Sequence, residues 1–217
     1  MTQVSPRSTA EPAERRRSAF LRSPVLLWCA FVATHLVLGL LNSYGGGYPL
    51  GDMSVYKFWV DQAVMSDFWV GIDAPWVYPI LAIVPMFIAR LAYPVAATIP
   101  AFATSTLDVG LYSASWLSLV LVLDLVAFGV LTGWGRRPDR VAVGWWWVLF
   151  LLMLGPIAVG RIDSVTVPIA VIGVSLVATR PVVATVVFTV AAWIKVWPGA
   201  LVIALLTVSR IRSPILL

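Results

Sequence analysis

The sequence predicts an all-α protein, a polytopic bundle of transmembrane helices with one long extracytoplasmic loop that carries a short surface helix. Three observations support this fold class. Of the 217 residues, 60% are hydrophobic and 12% are charged, about half the charged fraction of an average soluble domain. The mean hydropathy is +0.93. Uncharged runs of nearly the length that crosses a bilayer alternate with short polar segments.

The N-terminal segment, residues 1–23, is predicted to be a disordered cytosolic tail. It is rich in Ser, Thr, Pro and Ala, which is typical of disorder. Positive charge next to an apolar run is typical of the cytosolic side of a membrane. This topology signal explains the charge, and we therefore expect no nucleic acid as a partner. The basic residues of the tail are Arg7, Arg15, Arg16, Arg17 and Arg22.

Residues 24–217 are predicted to form the multi-pass membrane domain. Residues 24–41 make a retained anchor that starts on the cytosolic side, because the run is longer than a usual signal-peptide core. Residues 42–76 form the long outer loop. The protein is therefore expected in the cell membrane with a cytosolic N-terminus. The later apolar runs cover residues 77–108, 109–132, 141–160, 164–179, 181–194 and 196–209.

The arginines of the loop at residues 133–140 determine the expected topology. If residues 77–108 crossed the membrane once, these arginines would lie outside, against the positive-inside rule. We therefore expect residues 77–108 to enter and return on one side, as two short helices or a re-entrant hairpin. Arg90 would then lie near the inner turn, and residues 133–140 would be cytosolic.

The outer loop holds four acidic residues and a partly apolar face at helical spacing. This pattern predicts a short amphipathic helix at the membrane surface. Asp61 and Asp67 are expected to be solvated surface acids. Asp52 follows Gly51 directly before the helix, and it is either a solvated carboxylate or a general base acting on a hydroxyl.

Charged residues near or inside the spans are the other candidates for chemistry, because burying an unpaired charge is costly. Arg161 and Asp163 form either a plain solvated turn or a phosphate site in which the carboxylate orients the guanidinium. Lys195 either extends to the interface or joins that site. Asp124 is expected to hydrogen-bond a neighbouring helix rather than to act in catalysis.

Cys29 is the single cysteine and His35 the single histidine. A disulfide within the chain and a Cys-based metal site are therefore excluded. His35 lies in the middle of an apolar run, where a packed interior histidine is the expected role. We predict that no metal and no cofactor is needed.

Four short segments follow one another in a distinctive order: Gly51-Asp52-Met53-Ser54-Val55-Tyr56, Trp76-Val77-Tyr78-Pro79, Gly155-Pro156 with Gly160-Arg161-Ile162-Asp163, and Lys195-Val196-Trp197-Pro198. Together they resemble the polyprenyl-phosphate-sugar-dependent transferases of glycosyltransferase family 87, in the C-type membrane glycosyltransferase superfamily. Members of that family are longer, so the chain resembles their N-terminal part. A single proline follows Tyr78, where the family commonly has two.

The resemblance implies transfer of a sugar from a polyprenyl-phosphate donor to an extracytoplasmic glycan or glycolipid. Mannose is the sugar that the resemblance implies. Asp52 matches the catalytic base of the family's first loop. Arg161 and Lys195 would offset the charge that grows on the leaving phosphate. Asp163, Tyr56 and Tyr78 complete the substrate-binding set that the resemblance implies.

Two functions of other classes remain open from the sequence. A transporter or flippase for a lipid or small solute would also have proline-broken helices and intramembrane charges. Against it, the chain lacks a detectable inverted repeat. A non-catalytic membrane partner is the second alternative, which fits the short length. Sugar transfer in membrane vesicles would mark the enzyme, and solute movement without bond formation would mark the transporter.

Overall fold

The computed structural model of the protein describes residues 23–44, 52–97 and 108–212. The prediction of a disordered tail lies almost entirely outside these residues, as does the turn around Gly51. The described elements are all helical apart from one isolated bridge between Val70 and Ala74, so the all-α class is confirmed. The helices are α1 (Pro24–Tyr44), α2 (Asp52–Ser66), α3 (Ile83–Ala97), α4 (Asp108–Thr132), α5 (Val141–Leu154), α6 (Ile157–Gly160), α7 (Asp163–Leu176), α8 (Pro181–Ile194) and α9 (Gly199–Arg212), with 3₁₀ turns at Ile80–Ala82 and Pro138–Arg140.

Glycine and proline fix several helix ends. Gly133 and Gly135 adopt positive φ angles of 64° and 78° directly after α4, and Gly155 adopts 67° after α5. These backbone conformations are readily available to glycine and end a helix. Pro181 occupies the first turn of α8, where its missing N–H leaves no intrahelical bond unmade. The three apolar runs at 164–179, 181–194 and 196–209 therefore appear as three separate helices.

Two helices are long and apolar enough to cross a membrane, over Pro24–Asn42 and Gly110–Thr132. By length alone, such helices are also found in soluble cores and signal sequences. The apolar helices α7, α8 and α9 have 14 residues each, which corresponds to about 21 Å, compared with about 30 Å for the bilayer core. The described chain therefore shows two potential spans and several shorter apolar helices.

An aromatic cluster joins α1 to α4. Phe31 and Phe128 stack with ring centroids 4.1 Å apart, and Trp28 packs edge-on against Phe128 at 4.9 Å. Phe31 and Phe128 are fully buried. Offset and edge-to-face ring contacts contribute about 0.5–1.5 kcal/mol beyond burial, so this cluster fixes how the two longest apolar helices meet.

The loop 133–140 lies beside the start of α1. Trp134 stacks on Trp28 with ring centroids 6.1 Å apart, and a Cβ at Gly135 would lie 3.1 Å from the Cβ of Pro24. We call this the N-terminal end of the bundle. It carries the three arginines whose cytosolic location the sequence predicts, and they therefore share one end of the bundle with the beginning of the first apolar helix.

The opposite end is tied together by two side-chain hydrogen bonds. Asn42, near the end of α1, donates through Nδ2 to the carbonyl oxygen of Pro156 at 2.8 Å. Trp116 lies in the N-terminal half of α4. It donates through Nε1 to the carbonyl oxygen of Val159 at 3.1 Å. The segment between α5 and α7 is thereby held against α1 and α4.

Helix α2 forms in the outer loop, where the sequence predicts a short helix. Its buried residues recur at helical spacing and comprise Met53, Tyr56, Val60 and Ala63. Its outward face includes Phe58 and Met65, which are 57% and 78% exposed. An exposed apolar face on a surface helix is typical of helices that lie at a membrane boundary.

Arg90 on α3 contradicts one expectation about this region. Its Nε lies 3.1 Å from Oδ1 of Asp61 on α2, and Asp61 also pairs with Lys57. Because Arg90 and Asp61 are in contact, they cannot lie at opposite surfaces of the membrane. Arg90 therefore cannot lie near the inner turn while Asp61 lies in the outer loop. Asp61 is consequently not a freely solvated acid. The described part of 77–108 holds one α-helix, α3, and the expected return of this segment falls on residues 98–107, outside the described residues.

Helices α7 and α8 approach closely through Gly173. A Cβ at Gly173 would overlap the ring of Phe188 on α8, which is itself 1% exposed. Small residues at such positions let membrane helices pack by van der Waals contact. We expect Gly173→Ala to lower the free energy of unfolding by about 1–3 kcal/mol through overpacking. Thermal unfolding in detergent measures this effect, and Gly199→Ala, where an added Cβ has ordinary contacts, serves as the control.

Candidate functional site

Six side chains converge at the end of the bundle opposite the N-terminal end. Asp52 is the first residue of α2, and Asp163 is the first residue of α7. The others lie on α2, in the segment before the first 3₁₀ turn, between α6 and α7, and directly after α8. We call this group the polar cluster, and its members are Asp52, Tyr56, Tyr78, Arg161, Asp163 and Lys195.

Asp52 and Arg161 form the first contact of the polar cluster. The Nε of Arg161 lies 3.4 Å from Oδ2 of Asp52, and the two side chains are 49% and 34% exposed. The sequence favoured Asp163 as the carboxylate that orients Arg161, but Asp52 contacts it, from 109 positions away by residue number. Both groups are open to solvent, so this ion pair contributes only about 0–1 kcal/mol to stability.

Tyr56 connects Asp52 to the backbone beside Arg161. Its hydroxyl accepts a hydrogen bond from the amide of Ile162 at 2.9 Å and lies 3.4 Å from Oδ2 of Asp52. Burial raises the pKa of the Tyr56 hydroxyl, and the nearby Tyr78 and Asp52 raise it further. The phenol therefore remains a proton donor at neutral pH. Tyr56 is fully buried, so it supports Asp52 and presents no ring face to a ligand.

Asp163 holds the segment after α8. Its Oδ1 accepts a hydrogen bond from Nε1 of Trp197 at 3.1 Å, and its Oδ2 lies 3.6 Å from Nζ of Lys195. Nζ of Lys195 also lies 4.7 Å from the ring centroid of Tyr78, a cation–π contact. Trp197 was not among the predicted site residues. The sequence feature that could have indicated Trp197 is its position two residues after Lys195.

Aromatic side chains form one wall beside the polar cluster. Trp59 and Trp76 pack edge-on at 5.4 Å, and Tyr78 contacts both, at 5.9 Å and 5.6 Å. The buried Nε1 of Trp76 has no hydrogen-bond partner within the described residues. This wall holds Tyr78, and the ring of Tyr78 contacts the same Lys195 ammonium group that pairs with Asp163.

An apolar cavity of about 330 Å³ opens next to the polar cluster. Arg161 and Asp163 line one part of it, and Asp124 lines another. Its lining residues on α5 run from Trp146 to Leu154, eight residues apart. At 1.5 Å per residue the cavity therefore extends about 12 Å along this helix. Its apolar walls include Trp146, Phe150, Leu154, Ile157, Val167 and Val171.

The far part of the cavity adjoins a buried polar pair. Nε2 of His35 on α1 lies 2.9 Å from Oδ2 of Asp124 on α4, and Nδ1 of His35 lies 3.0 Å from the carbonyl oxygen of Phe31. His35 and Asp124 are 6% and 3% exposed. The prediction that Asp124 hydrogen-bonds a neighbouring helix is confirmed, and its partner is the single histidine of the chain.

The arrangement combines three chemical elements. A half-exposed carboxylate can accept a proton, two cationic side chains can bind an anion, and an apolar cavity beside them can hold a hydrocarbon chain. The structure thus brings all six predicted residues together, with Tyr56 in a supporting position.

Comparison with known proteins adds no further assignment. No protein-family model, no curated protein and no solved structure matches this chain. The kinship with glycosyltransferase family 87 therefore remains a prediction from four short segments, and the function is argued from the polar cluster and the cavity.

Proposed function

We propose that the protein is a membrane glycosyltransferase that transfers a sugar, mannose, from a polyprenyl-phosphate donor to an extracytoplasmic glycan or glycolipid. The observation that carries this proposal is the contact between Asp52 and Arg161, a residue that lines an apolar cavity. A base, a phosphate-binding cation and a hydrocarbon-binding cavity are the three parts that this reaction needs.

The donor would bind with its phosphate at Arg161 and its hydrocarbon chain in the cavity. The planar guanidinium of arginine matches two phosphate oxygens at once. Lys195 would approach the same phosphate from the segment after α8, since it lies against Asp163, the residue two positions after Arg161. The cavity walls on α5 and α7 would cover the first part of the polyprenyl chain.

Donor binding would change the partner of Arg161. The ion pair between Arg161 and Asp52 is half-exposed and contributes little to stability, so a phosphate can replace the carboxylate at small cost. Asp52 would then lose its cationic neighbour and become free to accept a proton. The hydrogen bond from Tyr56 would keep Asp52 oriented during this exchange.

The reaction would proceed by attack of an acceptor hydroxyl on the anomeric carbon. The new bond joins the acceptor oxygen to that carbon, and the bond between the carbon and the phosphate oxygen breaks. Asp52 takes the hydroxyl proton. The polyprenyl phosphate leaves with one more negative charge, which Arg161 and Lys195 offset.

The proposal includes a multi-pass topology in the cell membrane. Helices α7 and α8 are shorter than the thickness of the bilayer core. They fit this topology because the polar cluster and its loops would enter the membrane surface from one side and take up the remaining thickness. The N-terminal end, with residues 133–140, would face the cytosol, and the polar cluster would face the outside. This arrangement keeps the loop arginines inside.

A cysteine at the N-terminal end tests the topology. We expect Asp139→Cys in a Cys29→Ser background to resist an impermeant thiol reagent in intact cells and to react after the membrane is permeabilised. Asp139 is exposed in its loop, so burial would not explain protection. Asp67→Cys in the same background is the matched control, because Asp67 is also exposed and lies in the predicted outer loop, and it should react from outside. Labelling of the 139 variant in intact cells would contradict this topology.

Arg161 should govern donor use. We expect Arg161→Gln to raise the KM for the polyprenyl-phosphate donor by about 10- to 100-fold, because a hydrogen bond to a charged group contributes about 1.5–3 kcal/mol. Arg161→Lys should recover only part of the loss, since lysine lacks the planar fork. Arg136→Gln, at the N-terminal end, is the control. An unchanged donor KM in a correctly inserted Arg161→Gln protein would argue against the phosphate site.

A transporter is the second candidate, and a specific observation favours it. The buried pair of His35 and Asp124 lies inside two potential spans, and ionisable residues inside spans often mark transport pathways. Reconstituted vesicles with labelled polyprenyl-phosphate mannose and an acceptor distinguish the two functions. A new glycosidic bond identifies the transferase, whereas movement of the lipid without bond formation identifies the transporter.

A further inference from the structure

The buried pair of His35 and Asp124 has a fixed proton count. The carbonyl oxygen of Phe31 can only accept a hydrogen bond, so the neighbouring Nδ1 of His35 must carry a hydrogen. Nε2 of His35 and Oδ2 of Asp124 lie 2.9 Å apart, and two bare acceptors do not approach so closely without a proton between them. One shared proton therefore lies between imidazole and carboxylate, and the pair is neutral overall.

The pair is also connected to the cavity. Asp124 contributes to the cavity wall, and His35 on α1 is hydrogen-bonded to it. The cavity also has apolar walls that are partly exposed, with Trp146 and Phe150 at 64% and 45% exposure. An apolar molecule that enters the cavity would therefore meet aromatic side chains and a carboxyl group that shares a proton with His35.

We propose that Asp124 and His35 form a proton-binding site that is reached through the apolar cavity. The carboxyl group is thereby a modification site for apolar, carboxyl-directed reagents. Among the described residues that line the cavity, the other charged side chains are Arg161 and Asp163. Each already contacts an opposite charge, so neither neutralises Asp124.

Carbodiimides distinguish this site from ordinary carboxylates. The carboxyl oxygen of Asp124 would add to the central carbon of the reagent while its proton moves to a reagent nitrogen, giving an O-acylisourea without a leaving group. An acyl shift to nitrogen then gives a stable N-acylurea. The addition consumes the proton that Asp124 shares with His35.

The experiment uses the full chain in detergent or liposomes and maps modified peptides by mass spectrometry. We expect dicyclohexylcarbodiimide to modify Asp124 at least ten times faster than a cationic, water-soluble carbodiimide does. The water-soluble reagent should instead modify the exposed Asp139. Val167→Trp should suppress labelling of Asp124 by filling the cavity, whereas Val183→Trp, on the exposed side of α8, should not. Size-exclusion elution shows which variants fold.

The outcomes separate this inference from the proposed transferase, on which it does not depend. Absence of label on Asp124 while Asp139 reacts would overturn the proton site. Equal labelling of Asp124 by both reagents, or unchanged labelling in folded Val167→Trp, would overturn the route through the cavity. Protection of Asp124 by polyprenyl phosphate supports donor binding in the cavity. Labelling without such protection leaves the proton site intact and removes the cavity from the proposed donor site.

Discussion

Asp52→Asn should reduce sugar transfer by about 10²- to 10⁴-fold, which is the usual contribution of a general base. Asparagine preserves the size of the side chain and an acceptor for the Tyr56 hydroxyl, but it cannot take a proton. Expression and membrane insertion should change little, because the ion pair with Arg161 is half-exposed. Initial rates with saturating donor and acceptor measure the loss.

The ion pairs of the loop acids decide the control for this substitution. Asp61 pairs with Lys57 and Arg90, so Asp61→Asn would disturb the contact between α2 and α3. Asp67 is exposed, and within the described part of the chain its carboxylate accepts a hydrogen bond from Nε1 of Trp69. Asp67→Asn is therefore the better control. Near-normal transfer by Asp52→Asn, with a loss in the Asp67 variant, would show that the base was misassigned.

His35→Leu should lower the free energy of unfolding by about 3 kcal/mol. This value lies at the upper end of the cost of an unsatisfied buried polar group and at the lower end of the cost of breaking a buried ion pair. The substitution leaves Asp124 without its partner among apolar side chains. Thermal or denaturant unfolding of the purified protein in detergent measures the change. Ser175→Ala, on an exposed face of α7, should shift stability by less than about 0.5 kcal/mol.

A double substitution tests whether the two groups act as a pair. In His35→Leu/Asp124→Leu both polar groups are replaced by apolar ones, and the loss should be much smaller than the sum of the two single losses. Additive losses would mean that the hydrogen bond between His35 and Asp124 does not couple the two residues. Transfer activity of the double variant also shows whether the pair is needed by the polar cluster.

The apolar runs were sufficient to predict most helices, because each is bounded by glycine, proline or arginine. Pro181 and Gly133 mark helix ends that can be read directly from residue type. Residues 77–108 were harder, since four prolines and one arginine allow several arrangements. The ion pair between Arg90 and Asp61 decides where α3 lies, and a single sequence does not reveal which charges meet.

The residues of the candidate site were predictable from the sequence, but the contacts between them were not. The order of short motifs brought Asp52, Arg161 and Lys195 into one hypothesis, and the structure places them at one end of the bundle. The partners within the site were not predictable. Asp52 pairs with Arg161 and Asp163 pairs with Lys195, although Asp163 is far closer to Arg161 in sequence. The reason is that Asp163 begins a helix, and its carboxylate lies beside the segment after α8. His35 and Asp124 are separated by 89 positions, with no pattern linking them.

The length of the cavity along α5 limits how the proposed transferase could distinguish its lipid donors. The cavity is lined from Trp146 to Leu154 and is therefore about 12 Å long by helical rise, much shorter than a polyprenyl chain. Only the isoprenoid units nearest the phosphate would contact protein, and the remainder would lie among membrane lipids. Selectivity would therefore depend on the saturation and geometry of those first units, whereas polyprenyl phosphates that differ only in total chain length would be used alike.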